Sequence, residues 1–204
     1  MASFIKLYND NTNDKHLEQI VSCLKNGGVI IYPTDTIYAI GCDIYNHKAI
    51  EKVAQIKGIK PEKAEFSLIF NDLSQLSNYT LQVDNNIFKV LKRVLPGPFT
   101  FILNANNQIP KIFKRNKKTI GIRIPDNNIV RAIVEKLGNP IISTSVHDED
   151  EIIEYTTDPE LIYERYNNKV DIVIDGGHGE NVPSTIVDCT ENTIEIIRQG
   201  IGEI

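Results

Sequence analysis

Residues 27–41 read GGVIIYPTDTIYAIG, and this stretch decides the fold class. The glycine pair stops whatever helix precedes it, because glycine is the residue that most readily ends a helix in a left-handed turn. Val29, Ile30, Ile31 and Tyr32 are apolar and mostly β-branched or aromatic, the composition of a buried strand. Pro33 has no N–H to give to a ladder and ends that strand. Thr34, Asp35 and Thr36 follow, and then Tyr38. Hydroxyl and carboxyl groups therefore stand at the end of a core strand, where open α/β sheets bind their ligands.

Working outward, the flanking sequence alternates between the two periods of secondary structure. Upstream, 4–7 is a short strand candidate. Leu17, Ile20, Val21 and Leu24 fall at i, i+3, i+4 and i+7 of an amphipathic helix that Asn13 or Asp14 caps and Gly27 ends. Downstream, the pattern predicts a helix over 48–57 with Ile50, Val53 and Ala54 inward, and a strand over 66–70. Asp84 opens a helix bearing Ile87, Leu91 and Val94, which stops at Leu95-Pro96-Gly97-Pro98. Strands are expected over 99–103 and 119–124. A helix capped by Asp126 then turns Ile129, Val130, Ile133, Val134 and Leu137 inward before Gly138. Strands over 140–144 and 170–175 bracket a short helix opened by Asp158-Pro159, with proline at its first position. A closing strand pair covers 184–189 and 193–198. No linker, repeat or low-complexity tract divides the chain, so the expectation is one α/β domain over 1–204 with a mixed, twisted open sheet.

Composition narrows the function classes. With 41% hydrophobic and 24% charged residues among 204, the chain has the balance of an ordinary globular protein with a real core. A net charge of −5 excludes a protein that is basic throughout, although not one with a basic patch. Cys23, Cys42 and Cys189 form no CxxC pair and read as reduced thiols. The start MASFIKLYND has no signal-peptide pattern and no apolar run reaches membrane-spanning length, so the expected location is cytoplasmic, away from membranes. His16, His47, His147 and His178 are scattered relative to the cysteines, and no metal site is expected. Neither a Walker A motif, GxGxxG, HExxH nor a Ser/His/Asp pattern occurs.

Seven segments, PTDTIYAIGCD, LPGPFTFIL, KTIGIRIPDN, PIISTSV, VDIVIDGG, PSTIVDCT and IIRQG, occur in the order and approximate spacing of the YrdC/YciO family. The chain resembles that family from about Gly28 to Gly200. FSLIFNDLSQLSNY together with STSVHDED is most similar to its YciO branch. The resemblance implies a YrdC-like twisted open sheet with helices around a concave cavity, without the additional C-terminal domain of some longer members. It also implies a reaction: L-threonine, bicarbonate and ATP, with Mg2+ accompanying the nucleotide, give threonylcarbamoyl-AMP and pyrophosphate. Downstream proteins then use this product to modify tRNA. A carbamate is short-lived in water and needs an enclosed site in which to meet the α-phosphate.

Residue by residue, the resemblance places threonine at Thr36, Arg123, Ser143 and Ser184, and ATP at Lys57, Lys60, Thr119, Ser145 and Arg198. Arg123 lies in IGIRIP, where a charge flanked by apolar residues must be paired. Two partners are open to it: a substrate carboxylate gripped by two N–H groups, or an acid such as Asp35. Thr36 reads as a ligand or as a hydroxyl satisfied by backbone, and Tyr38 as cavity wall or core. The sequence departs from the family pattern twice. Lys57 is followed by Gly58 and Ile59, so the arginine of the family's K-x-R motif is missing and Lys60 is the nearest replacement. His147 stands where the S-x-N motif has asparagine, two residues after Ser145. Hydrogen bonds to charged ligands are worth about 1.5–3 kcal/mol each, so these departures predict a weak synthase. The acidic run from Asp148 to Glu151 reads as a solvated loop, and Gly176-Gly177-His178-Gly179 as a turn.

A second function class rests on Lys114, Arg115, Lys117 and Lys118, a basic run in an acidic chain. Duplex RNA is recognised largely through phosphates and shape, so a basic concave surface suits it. Family members bind double-stranded RNA, which makes the alternative an RNA- or ribosome-binding translation factor that keeps the cavity without efficient synthase chemistry. The bland reading of the same run is a solubilising loop.

Overall fold

The structure, a computed structural model, describes residues 1–8, 13–109, 118–146 and 154–204. Among them the strands are β1 (Ser3–Lys6), β2 (Ile30–Tyr32), β3 (Ala39–Asp43), β4 (Ser67–Ile69), β5 (Phe99–Asn104), β6 (Thr119–Arg123), β7 (Ile141–Ser145), β8 (Ile172–Asp175), β9 (Thr185–Asp188) and β10 (Glu195–Arg198). They form one sheet in the order β1-β8-β2-β3-β7-β4-β6-β5-β9-β10. Four pairs are parallel (β1 with β8, β8 with β2, β4 with β6, β5 with β9) and the other five antiparallel, so the sheet is mixed as expected.

Helices cover the two faces unequally. On one face α2 (His47–Ile56), α3 (Asn85–Val94) and α6 (Pro159–Tyr166) contribute Ile50, Val53, Leu91, Ile162 and Tyr166 to a core that includes Ile40, Leu68, Phe101, Ile122 and Val173. On the other, α1 (Asp14–Lys25) and α4 (Asn128–Leu137) pack together over Ile30, Tyr32, Ile69, Ile141 and Ile174. A one-turn helix, α5 (Glu154–Thr157), precedes α6. Five residues of α4 are buried, at the i, i+1, i+4, i+5, i+8 spacing of a helix stripe, and fully burying each such side chain is worth about 1.5–3 kcal/mol. Beyond Ile69 and Arg123, the second face carries small hydroxyl side chains in place of an apolar layer.

The elements follow the sequence expectations with two corrections. The cap of α4 is Asn127, whose side chain accepts from the N–H groups of Ile129 and Val130. Asp126 instead donates its backbone N–H to Asp35 Oδ2 at 3.0 Å. β3, in the stretch AIGCD, carries no β-branched alternation to announce it. At its centre Gly41 lies so close to β7 that an added Cβ would sit 2.3 Å from the carbonyl oxygen of Ile142.

Candidate functional site

The uncovered part of the second face is the floor of a cavity of about 430 Å3. Register explains its composition. Ser67 on β4 is opposite both Ser143 on β7 and Gly121 on β6, and Gly121 is opposite Ile102 on β5. These four residues share one face of four adjacent strands and all line the cavity. Gly121 leaves the middle of the row as bare backbone. A Cβ there would sit 2.9 Å from Ser67 Oγ and 3.2 Å from Thr100 Cγ2. Alternation along β6 puts Thr119 and Arg123 on the same face, to either side of that gap.

Arg123 closes one end. Its side chain is 12% exposed and that of Asp35 9%, and the two are 3.0 Å apart between Nη2 and Oδ1. Nη2 also donates to Thr36 Oγ1 at 2.9 Å. Thr36 is buried and touches Thr34, whose hydroxyl donates to the carbonyl of Ile37. Because Thr34 has spent its only proton, Thr36 is the donor in the 3.1 Å contact between the two hydroxyls. The residues of PTDT thus form a directed chain behind the arginine, and Thr36 reaches the site through Arg123. The Nε of Arg123 is buried and has no hydrogen-bond partner among the described residues. Both sequence readings of this residue are therefore informative: the Asp35 ion pair exists, and it leaves a donor unused.

Arg198 faces the cavity from another strand. Its aim depends on a bulge: Ile196 pairs with Val187, but Arg198, two residues on, pairs with Ile186, whose side chain lines the cavity. Without the extra residue Ile197 would hold that place. Nη2 of Arg198 donates to the carbonyl of Ser184 at 2.8 Å, and the hydroxyls of Ser184 and Thr100 are 2.8 Å apart. Partial burial, and then the like charge of Arg123, hold the Arg198 guanidinium below the usual arginine pKa. The two cations act on each other across the cavity.

Six of the residues to which the resemblance gave a threonine or ATP role line this cavity together: Thr119, Arg123, Ser143, Ser145, Ser184 and Arg198. Ser143 is held from behind by the Tyr32 hydroxyl, which donates to its Oγ at 2.6 Å. Lys57, at the C-terminal cap of α2, and Lys60 are not among the lining residues. Lys118, read with the basic run as an RNA contact, does line the cavity, next to Thr119. Lys114, Arg115, Lys117 and His147 lie outside the described residues. Tyr38 is core, fully buried, and its hydroxyl donates to the carbonyl of Gly177 at 2.6 Å, which pins the glycine turn after β8. Sequence reasoning passed over Ser67, Thr100 and Glu65 in the lining. No local signal marks the first two, because the hydroxyls beside them in the cavity stand on other strands that only the fold brings together. Among the described residues no group of three or more His, Cys, Asp or Glu is arranged to hold a metal ion, and no helix is long and apolar enough to cross a membrane.

A family model described as "Telomere recombination", for Sua5, YciO and YrdC proteins, matches residues 22–200. YciO of Escherichia coli K12 is 38% identical over the whole chain and 98% of its own length, and its crystal structure superposes with a TM-score of 0.90. A threonylcarbamoyl-AMP synthase of Coxiella burnetii is 32% identical, covering 94% of this chain and 98% of the synthase. The crystal structure of P. abyssi Sua5 complexed with L-threonine has the same fold, with a TM-score of 0.86 at 21% identity, covering 98% of this chain and 57% of that one. With the ten-stranded sheet, the PTDT loop and the arginine-bearing strands in the places the motifs predicted, the chain belongs to the Sua5/YciO/YrdC family.

Proposed function

We propose that the cavity forms a carbamoyl adenylate from L-threonine, bicarbonate and ATP, with the amino-acid carboxylate at Arg123 and the phosphates toward Arg198 and Lys118. The observation that carries this reading is the guanidinium of Arg123: nearly buried, fixed on one side by Asp35, and left with an unpaired Nε at the edge of a hydroxyl-lined cavity. An orphaned charged donor costs stability, so a site that retains one is organised for an anion. The like charges of Arg123 and Arg198 support an anionic occupant as well, because an anion between them relieves their repulsion. Against Lys118, Arg123 and Arg198 the lining sets the carboxylate of Glu65, which leaves the cavity cationic in a chain whose net charge is −5.

In this reaction the threonine amine attacks bicarbonate, water leaves, and a carboxylate oxygen of the carbamate attacks the α-phosphorus of ATP. Pyrophosphate is the leaving group. The protein's part is positioning and charge: Arg123 orients the amino acid, the hydroxyls of Ser143 and Ser184 border its site, and Arg198 and Lys118 neutralise charge that develops as pyrophosphate departs. A threonylcarbamoyl-AMP synthase among the relatives, and a Sua5 structure that contains L-threonine, support the choice of amino acid. Lys118 lines the cavity, which favours a phosphate role for its charge over the RNA role expected from its neighbours in sequence.

The test is pyrophosphate release at high enzyme concentration, with each substrate omitted in turn. The proposal predicts release only when threonine, bicarbonate and ATP are all present, and none from Arg123→Ala. Release that ignores threonine or bicarbonate, or no release from wild type, would overturn it.

A further inference from the structure

A guanidinium can grip a carboxylate along two edges, Nε with Nη2 or Nη1 with Nη2, and both edges use Nη2. In this protein Nη2 has two hydrogens and two acceptors, Asp35 Oδ1 at 3.0 Å and Thr36 Oγ1 at 2.9 Å. A two-pronged grip on an amino-acid carboxylate therefore requires one of them to let go. They are not equal. Asp35 is charged, 9% exposed, and held from its other oxygen by the Asp126 backbone N–H at 3.0 Å, just before the cap of α4. Thr36 is neutral, and its own proton goes to Thr34. Hydrogen bonds between two charged groups are the stronger ones, so Thr36 yields and Asp35 stays.

We infer that Asp35 is a positioning residue: it locks the Arg123 guanidinium by Nη2 onto the β2–β3 loop and the start of α4, and so fixes which edge faces the amino-acid carboxylate. The Thr36 hydroxyl, released from Nη2 as the ligand arrives, becomes free to turn its hydrogen bond to that carboxylate. This inference rests on the amino-acid reading of the site given above. Asp35→Asn breaks the lock with little change in shape. An asparagine has one acceptor oxygen, so its amide nitrogen meets either Nη2 of Arg123 or the N–H of Asp126, donor against donor.

The experiment reads the lock with and without ligand. In the ligand-free protein, side-chain 15N NMR of Arg123, assigned by its loss in Arg123→Lys, is expected to show Nη groups restrained from rotation. Asp35→Asn should average them, while Thr36→Val leaves them restrained. By calorimetry, Asp35→Asn should weaken L-threonine binding about 10-fold or more, leave ATP binding within about 2-fold, and regain part of the loss as Asp35→Glu. Restrained Nη signals in Asp35→Asn overturn the inference. So does equal loss of threonine and ATP binding, which marks a structural role, or tighter threonine binding, which marks Asp35 as a competitor of the ligand. If the wild-type protein binds no threonine, the proposed function fails, and the NMR comparison alone decides the role of Asp35.

Discussion

Tyr32 shows how a single residue serves core and cavity together. Its ring is fully buried with α1 and α4, and its hydroxyl reaches over β3 on the same face of the sheet to hold Ser143 at 2.6 Å. Tyr32→Phe keeps the ring and removes the donor, leaving the Ser143 hydroxyl to rotate. The expected loss is about 1 kcal/mol of stability, read as a lower urea midpoint at unchanged slope, accompanied by weaker threonine binding. A variant as stable as wild type would mean that Ser143 finds another partner. The lysines make a second comparison at this scale. Lys118 lines the cavity, whereas Lys57 and Lys60 do not. Removing one charged contact to phosphate is worth about 10-fold or more in ATP affinity. Lys118→Ala should therefore weaken ATP binding by that much, while Lys60→Ala stays within about 2-fold. The reverse order would return the phosphates to the α2 end, where the K-x-R motif of the family sits.

Among the elements, α4 and β10 mark what sequence patterning reaches and where it stops. The stripe of α4 was fully legible, and only the cap was displaced, because Asp126 and Asn127 are both good capping residues. Structure separates them. Asn127 Oδ1 accepts from two N–H groups of the first turn, whereas Asp126 uses its backbone to anchor Asp35 and leaves its side chain exposed. Asn127→Ala should cost about 0.5–2 kcal/mol in urea unfolding, and Asp126→Ala only a few tenths; equal losses would show the cap to be shared. The closing strand pair that includes β10 was legible, but the bulge that turns Arg198 inward was not, since nothing in EIIR marks the extra residue. β3 was missed for a related reason. Its strand character comes from contact with β7 across Gly41, a tertiary cause with no local signature.

At the scale of the molecule, the order of strands was beyond reach of the sequence, and with it the adjacency of the site. Ser143 and Ser67 are opposite each other because β7 returns between β3 and β4, a long-range pairing that no local period encodes. The motifs nonetheless placed six site residues in one cavity, because family resemblance carries tertiary information that periodicity lacks. Lys118 escaped for the opposite reason: charge clustering along the chain says nothing of which cavity one residue of the cluster borders in the fold.

The same packing sets how the whole molecule responds to alkali. Burial, reinforced by Asp171 in one case and Asp188 in the other, pushes the Cys23 and Cys189 thiols from 9.0 up to about 11. Burial also raises Cys42, Tyr32, Tyr38 and Tyr79. For each of these acids the folded state keeps a proton that the unfolded chain releases. Between the unfolded and folded values the native state therefore binds more protons, and stability falls as pH rises. The fall begins near pH 9, where unfolded thiols ionise, and continues past pH 11. Urea midpoints should be level between pH 7 and 8 and clearly lower at pH 10.5, with a smaller drop in Cys23→Ala. Native alkylation at pH 8 gives an independent reading, since a thiol at about 11 holds about 100-fold less thiolate than one at 9.0. Midpoints unchanged to pH 10.5, or thiols that alkylate as fast as free cysteine, would mean that the core around Cys23 and Cys189 opens far more readily than its packing implies.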